Sequence, residues 1–171
     1  MGEGKAVFGV MNRIASFTVD HRVLEPGVYV SMRQKWGDSI ITTIDIRMVA
    51  PYHSPVLSTG VIHAIEHIGA TYFRNESVLK DRIVYFGPMG CRTGFYLVLF
   101  GDFTSEDVLP AVKGCFACIR DFNQHIPGAS KRECGNYKDM DLEGAKEAAR
   151  FFYSQTLEGI DSSHLKYQKW L

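Results

Sequence analysis

Between Val28 and Val49 apolar and polar residues alternate with the period of two that an extended chain uses. Ile40, Thr42, Ile44 and Ile46 fall on one side, and Ile41, Thr43, Asp45 and Arg47 on the other. Strands over Val28–Gln34 and Ser39–Val49, joined through Trp36-Gly37-Asp38, therefore predict a hairpin. Past the Pro51–Pro55 loop the period becomes helical. Val61, Ile65, Ile68 and Tyr72 share one face, Ser58 or Thr59 stands ready as the cap, and the helix should run to about Asn75. Arg82–Phe86 and Phe95–Phe100 read as a second strand pair around a glycine-rich loop at 87–94. Thr104 to Asp107 resembles a capping box that opens a helix to about Phe122, and Asp141 starts another through roughly Leu157. The stretch from Gln124 to Asp139 has no regular pattern. Strands arranged as hairpins, with no internal repeat, predict one α+β domain: an antiparallel sheet with helices packed on one face. Residues 1–15 lack periodicity and read as a loose N-terminal extension, leaving 16–171 as the single folded domain.

The predicted helix after the hairpin carries His63-Ala64-Ile65-Glu66-His67. At roughly 100° per residue, His63, Glu66 and His67 lie within about a third of the circumference, away from the apolar stripe. Two neutral imidazoles one turn apart make half of a divalent metal site. The alternative is a solvated polar face or a hydrogen-bonded core histidine. Zinc-type catalytic sites take three protein ligands, so a third must come from elsewhere. Two cysteines lie in predicted loops: Cys91 follows Pro88-Met89-Gly90, and Cys134 sits in Lys131-Arg132-Glu133-Cys134-Gly135-Asn136-Tyr137. A soft thiolate at Cys134 suits a third position beside two imidazoles, which frees Cys91 to act as base or nucleophile, with Glu66 moving protons.

Charge and composition narrow the function classes. Nineteen basic residues balance nineteen acidic ones, with no basic stripe, which argues against a nucleic-acid partner. The apolar run Tyr96–Phe100 is far too short to span a bilayer, and the N-terminus lacks the order of a signal peptide, so a cytoplasmic location is expected. Four cysteines in 171 residues are too few for a disulfide scaffold. Cys115 and Cys118 form a C-x-x-C that could serve a zinc knuckle or a redox pair. They fall within the helical pattern of Val108, Leu109, Val112, Phe116 and Ile119, so small buried thiols are the better reading.

Taken together, Ser16-Phe17-Thr18-Val19-Asp20-His21, Asp45-Ile46-Arg47, the HAIEH helix, PMGCRTGFYL at 88–97, ECGNY at 133–137 and DLEGAK at 141–146 resemble, in that order, the LuxS family of S-ribosylhomocysteine lyases. The resemblance runs from Ser16 to about Leu157. It implies a LuxS/pitrilysin-like metalloenzyme fold and a homodimer with sites near the subunit interface. It also implies a divalent metal on His63, His67 and Cys134, ferrous iron with zinc as a stable substitute. Cys91 and Glu66 are implied as the acid/base pair, and Ser16, His21 and Arg47 as contacts to the sugar of S-ribosylhomocysteine. The implied products are homocysteine and 4,5-dihydroxy-2,3-pentanedione, the precursor of autoinducer-2. Tyr85-Phe86-Gly87 departs from the Asp and Ser that many members carry before PMGC, and Met11 offers an alternative start.

Two competing readings stand beside this one. H-x-x-E-H is also the signature of inverzincin metallopeptidases, in which a downstream Glu, here Glu143 or Glu147, would complete the metal site. A metal that only staples the fold would instead predict a closed four-ligand site and indifference to Cys91.

Overall fold

The computed structural model describes residues 19–168, so the expected loose extension at 1–15 and Ser16 lie outside the described residues. Four strands, β1 (Gly27–Trp36), β2 (Ser39–Arg47), β3 (Ile83–Pro88) and β4 (Gly94–Phe100), form one antiparallel sheet in the order β1-β2-β4-β3. The helices are α1 (Thr59–Asn75), α2 (Ser105–Arg120) and α3 (Leu142–Phe152). An α+β fold with an antiparallel sheet is what the pattern predicts. The last helix differs in detail: after Phe152 the chain continues to Leu157 as a π-helical turn.

Each helix starts where a short polar side chain can replace the missing backbone partner. Ser58 accepts from the N–H of Val61, and Asp141 from that of Gly144. Thr104 and Asp107 form a reciprocal capping box at α2. The apolar faces then meet on one side of the sheet. Ile44, Ile46, Phe95, Leu97 and Leu99 are buried against Ile65, Ile68 and Phe73 of α1, Val112, Phe116 and Ile119 of α2, and Ala145, Ala149 and Phe152 of α3. Phe73, Phe86 and Phe95 stack in succession, with centroids 5.0 and 5.1 Å apart.

The opposite face of the sheet is not simply exposed. Asp45 and Arg47 alternate with Ile44 and Ile46, and are nevertheless 1% and 3% exposed. A second, smaller cluster of Val19, Leu24 and Tyr29, with Tyr167 packed on it, covers them. Sequence periodicity assigned Asp45 and Arg47 to the polar side correctly. It gave no sign that a segment from the far end of the chain would lie over them.

Phe95 is fully buried in the aromatic stack, so Phe95→Ala should cost about 3–5 kcal/mol of stability. Urea unfolding at fixed metal content checks this; a loss under about 1 kcal/mol would mean that the stack does not hold sheet and helices together.

Candidate functional site

The period that turns the apolar stripe of α1 toward the sheet turns His63, Glu66 and His67 toward the segment between α2 and α3. That segment runs back along α1 and is bound to it by hydrogen bonds. The Pro127 carbonyl accepts from His67 Nδ1 (2.8 Å), the Asp139 carboxylate from His63 Nδ1 (2.6 Å), and the Gly60 carbonyl from the Asp141 N–H (3.0 Å). Gly128 lets the chain pass His67: its φ is +70°, and a Cβ there would stand 3.1 Å from His67 Nδ1. With both Nδ1 atoms donating, each Nε2 is left as an acceptor. Cys134 Sγ lies 3.3 Å from His63 Nε2, and the ligand atoms of His63, His67 and Cys134 lie within 4.8 Å of one another. Among the described residues this is the one group of three such side chains that gathers so closely. Two imidazoles whose second nitrogens are anchored, with one thiolate, fit a divalent metal. Asp139 and Pro127 are the supporting partners that sequence reasoning missed. Asp139 sits in the irregular stretch, four residues beyond Gly135, and nothing in its pattern distinguishes it from a surface carboxylate.

Glu66 lies on the same helix, partly buried between the two histidines in sequence. The downstream glutamates are elsewhere. Glu143 pairs with Lys146 at 3.1 Å, and Glu147 lines a separate, mostly apolar groove of about 640 Å³. Cys115 is fully buried, with its thiol pushed up by burial, and Cys118 is partly buried on the same helix, as expected of structural thiols.

The second constellation surrounds Cys91. The turn Met89–Thr93 is tied down by the Thr93 carbonyl, which accepts from the N–H groups of Met48 and Val49, and by the Arg92 carbonyl, which accepts from Leu57. Arg92 takes a φ of +59° to close it. Cys91 Sγ is 3.1 Å from Thr93 Oγ1 and 3.8 Å from Arg47 Nη1, which also donates to Thr93 Oγ1. Burial works against ionisation of this thiol. The hydrogen bonds of Thr93 and the positive charge of Arg47 outweigh it and carry Cys91 below the ordinary thiol range. His21 lines a small cavity with Asp45, Arg47 and Tyr96, its Nδ1 2.9 Å from the Val19 carbonyl oxygen. The structure thus brings Arg47, His21 and Cys91 into one neighbourhood, and His63, His67 and Cys134 into another.

A scaffold offering three protein donors of the His₂Cys type stands, by its chemistry, with the mononuclear metalloenzymes and apart from four-ligand structural zinc modules. The sequence comparisons give the family. A model described as S-Ribosylhomocysteinase (LuxS) matches residues 14–163, and the chain belongs to that family. It is 51% identical to an S-ribosylhomocysteine lyase of Clostridium acetobutylicum over 157 residues, covering 92% of this chain and 99% of that one. It is likewise 51% identical to the S-ribosylhomocysteine lyase of Borreliella burgdorferi, and 47% to that of Desulfotalea psychrophila, with the same coverage.

Because Asp139 fixes the ring and tautomer of His63, Asp139→Ala should weaken metal binding by about 10–100-fold. Competition against a chromophoric chelator measures this, and an unchanged affinity would show that His63 needs no such anchor.

Proposed function

We propose that the chain is an S-ribosylhomocysteine lyase that releases homocysteine and leaves 4,5-dihydroxy-2,3-pentanedione. The observation that carries this is the gathered donor set of His63, His67 and Cys134, in a chain about half identical along nearly its whole length to relatives bearing that activity in their name. The metallopeptidase reading loses its ligand, since neither Glu143 nor Glu147 joins the donor group.

The reaction needs two shifts of a carbonyl along the open ribose chain and then a β-elimination. His63, His67 and Cys134 would hold a divalent metal, iron in this reading and zinc as substitute, whose Lewis acidity would make hydrogens beside the sugar carbonyl acidic. Cys91, ionised beside Thr93 and Arg47, removes the proton on the second carbon and returns it to the first. Glu66 carries the accompanying proton between the two oxygens. The same pair repeats the shift and brings the carbonyl to the third carbon. Removal of the proton on the fourth carbon then breaks the bond from the fifth carbon to sulfur, and homocysteine leaves as its thiolate. Arg47 and His21, with Ser16, hold the hydroxyls of the sugar. No electrons are exchanged with a redox partner at any stage.

Arg47 alternates with the core residue Ile46 and so lies on the face of the sheet turned away from the helices, with Cys91 of the β3–β4 turn against it, whereas His63 and His67 lie off the buried stripe of α1. This separation supports a homodimer in which Cys91, Arg47 and His21 of one copy complete the metal site of the other. Among the described residues no helix is long and apolar enough to cross a membrane. Free Cys91 and Cys134 suit the reducing cytoplasm. The dione, as precursor of autoinducer-2, would link the reaction to quorum sensing. Residues 16–171 act in this reading as one catalytic unit.

Anaerobically purified, metal-loaded protein should release free thiol from S-ribosylhomocysteine. Cys91→Ala should abolish release while keeping its metal, and Cys134→Ala should lose the metal itself. Folded, metal-replete protein that releases no thiol would overturn the assignment, as would full metal occupancy in Cys134→Ala.

A further inference from the structure

The family match ends at residue 163, yet the chain beyond it reaches Asp45 and Arg47, the least exposed charged side chains among the described residues. After the turn Ser162–His164, Leu165 enters the main core, and its carbonyl accepts from the Ser105 hydroxyl at 3.0 Å. The tail runs against the start of β1, where only glycine fits: a Cβ on Gly27 would stand 2.3 Å from the His164 carbonyl oxygen. The Tyr167 ring then stacks on Tyr29, with centroids 4.7 Å apart and planes 15° from parallel, and its hydroxyl donates to Asp45 Oδ2 at 2.6 Å. The same carboxylate oxygen accepts from Arg47 Nη2. Among the described residues Asp45 Oδ1 and Arg47 Nε have no partner, so Tyr167 is the one neutral donor holding the carboxylate.

We propose that Tyr167 is a positioning residue: through Asp45 it holds the Arg47 guanidinium against Thr93 and Cys91. The inference rests on the reading of Cys91 as the thiolate base. The chain of contacts is continuous, from Tyr167 Oη to Asp45, from Asp45 to Arg47 Nη2, and from Arg47 Nη1 to Thr93 and Cys91 Sγ. Charged and titratable groups face it from each neighbouring element: Asp45 and Arg47 on β2, Tyr29 on β1, Tyr96 on β4, Cys91 in the β3–β4 turn, His21 and Glu25 before the sheet, and Tyr167 itself. Burial holds both Tyr29 and Tyr167 well above the usual phenol range, so they stay neutral across the working pH, and Tyr167 stays a donor. By taking part of the charge on Asp45 Oδ2, the phenol leaves more of the Arg47 charge for the thiol. Its ring keeps water from the ion pair, so that the guanidinium stays aimed.

The test is the pH profile of Cys91 alkylation, followed at that residue by peptide mass spectrometry in metal-loaded protein, for wild type, Tyr167→Phe and Tyr167→Ala. Tyr167→Ala removes ring and hydroxyl, and its profile should move about one unit to higher pH, leaving about tenfold less thiolate at neutrality. Tyr167→Phe keeps the stack and should move in the same direction by less; a shift in the Ala variant alone would overturn the route through Asp45. Profiles that coincide with wild type in both folded variants would overturn the inference. The readout requires no substrate, so that result alongside intact thiol release would leave the lyase reading standing, whereas absent release with the predicted shift would leave the positioning role of Tyr167 standing.

Discussion

A single helix has to satisfy two surfaces at once. The apolar stripe of α1 must face the sheet, because Ile65, Ile68 and Phe73 close the core against Phe86 and Phe95. With 3.6 residues per turn, His63 and His67 can then only point to the far side, where the segment between α2 and α3 meets them. The two candidate metal-binding histidines are therefore placed by core packing as much as by their own chemistry. Any change that rotates α1 to relieve the core also moves both imidazoles. The hydrogen bonds to Asp139 and Pro127 guard against such rotation from outside.

The pleat of β2 imposes the corresponding constraint on the other side. Ile44 and Ile46 go to the core, so Asp45 and Arg47 go to the opposite face, and there they are as buried as core residues. A buried ion pair is a weak source of stability, since desolvation offsets most of its attraction. Burial pushes the Asp45 carboxyl above the usual carboxylate range, and the Arg47 charge and the Tyr167 hydroxyl oppose that shift. Burial likewise disfavours the Arg47 charge, and Asp45 more than restores it. The pair makes sense as a device for aim. One end of the guanidinium is fixed on Asp45, which leaves the other end to hold Thr93 and bias Cys91 toward its thiolate.

Much of this was legible in the order of residues, and for identifiable reasons. Period-two and period-3.6 patterns, with Ser58, Thr104 and Asp141 as caps, placed β1 to β4, α1 and α2 to within a few residues and the start of α3, whereas the π-helical end of that last helix and the short 3-10 turns carry no such pattern. The imidazoles sit at a spacing that a helix turns into a pair, so the HAIEH segment announced itself. The third candidate ligand, Cys134, lies in a stretch without periodicity; only its chemistry beside two histidines suggested it. Asp139 and Tyr167 were not legible at all. Their partners lie 76 and 122 residues away, and no local pattern encodes a contact that depends on the completed fold.

In the proposed homodimer the metal and the thiolate of one reaction centre come from two copies of the chain. Exchange of subunits between the inactive variants Cys91→Ala and Cys134→Ala tests it most directly. In a hybrid dimer one site loses both groups and the other keeps both, so a randomly mixed population should recover about a quarter of wild-type thiol release. Hybrids that form, as seen by intact-mass measurement, and yet release no thiol would contradict the shared centre and return both groups to a single chain.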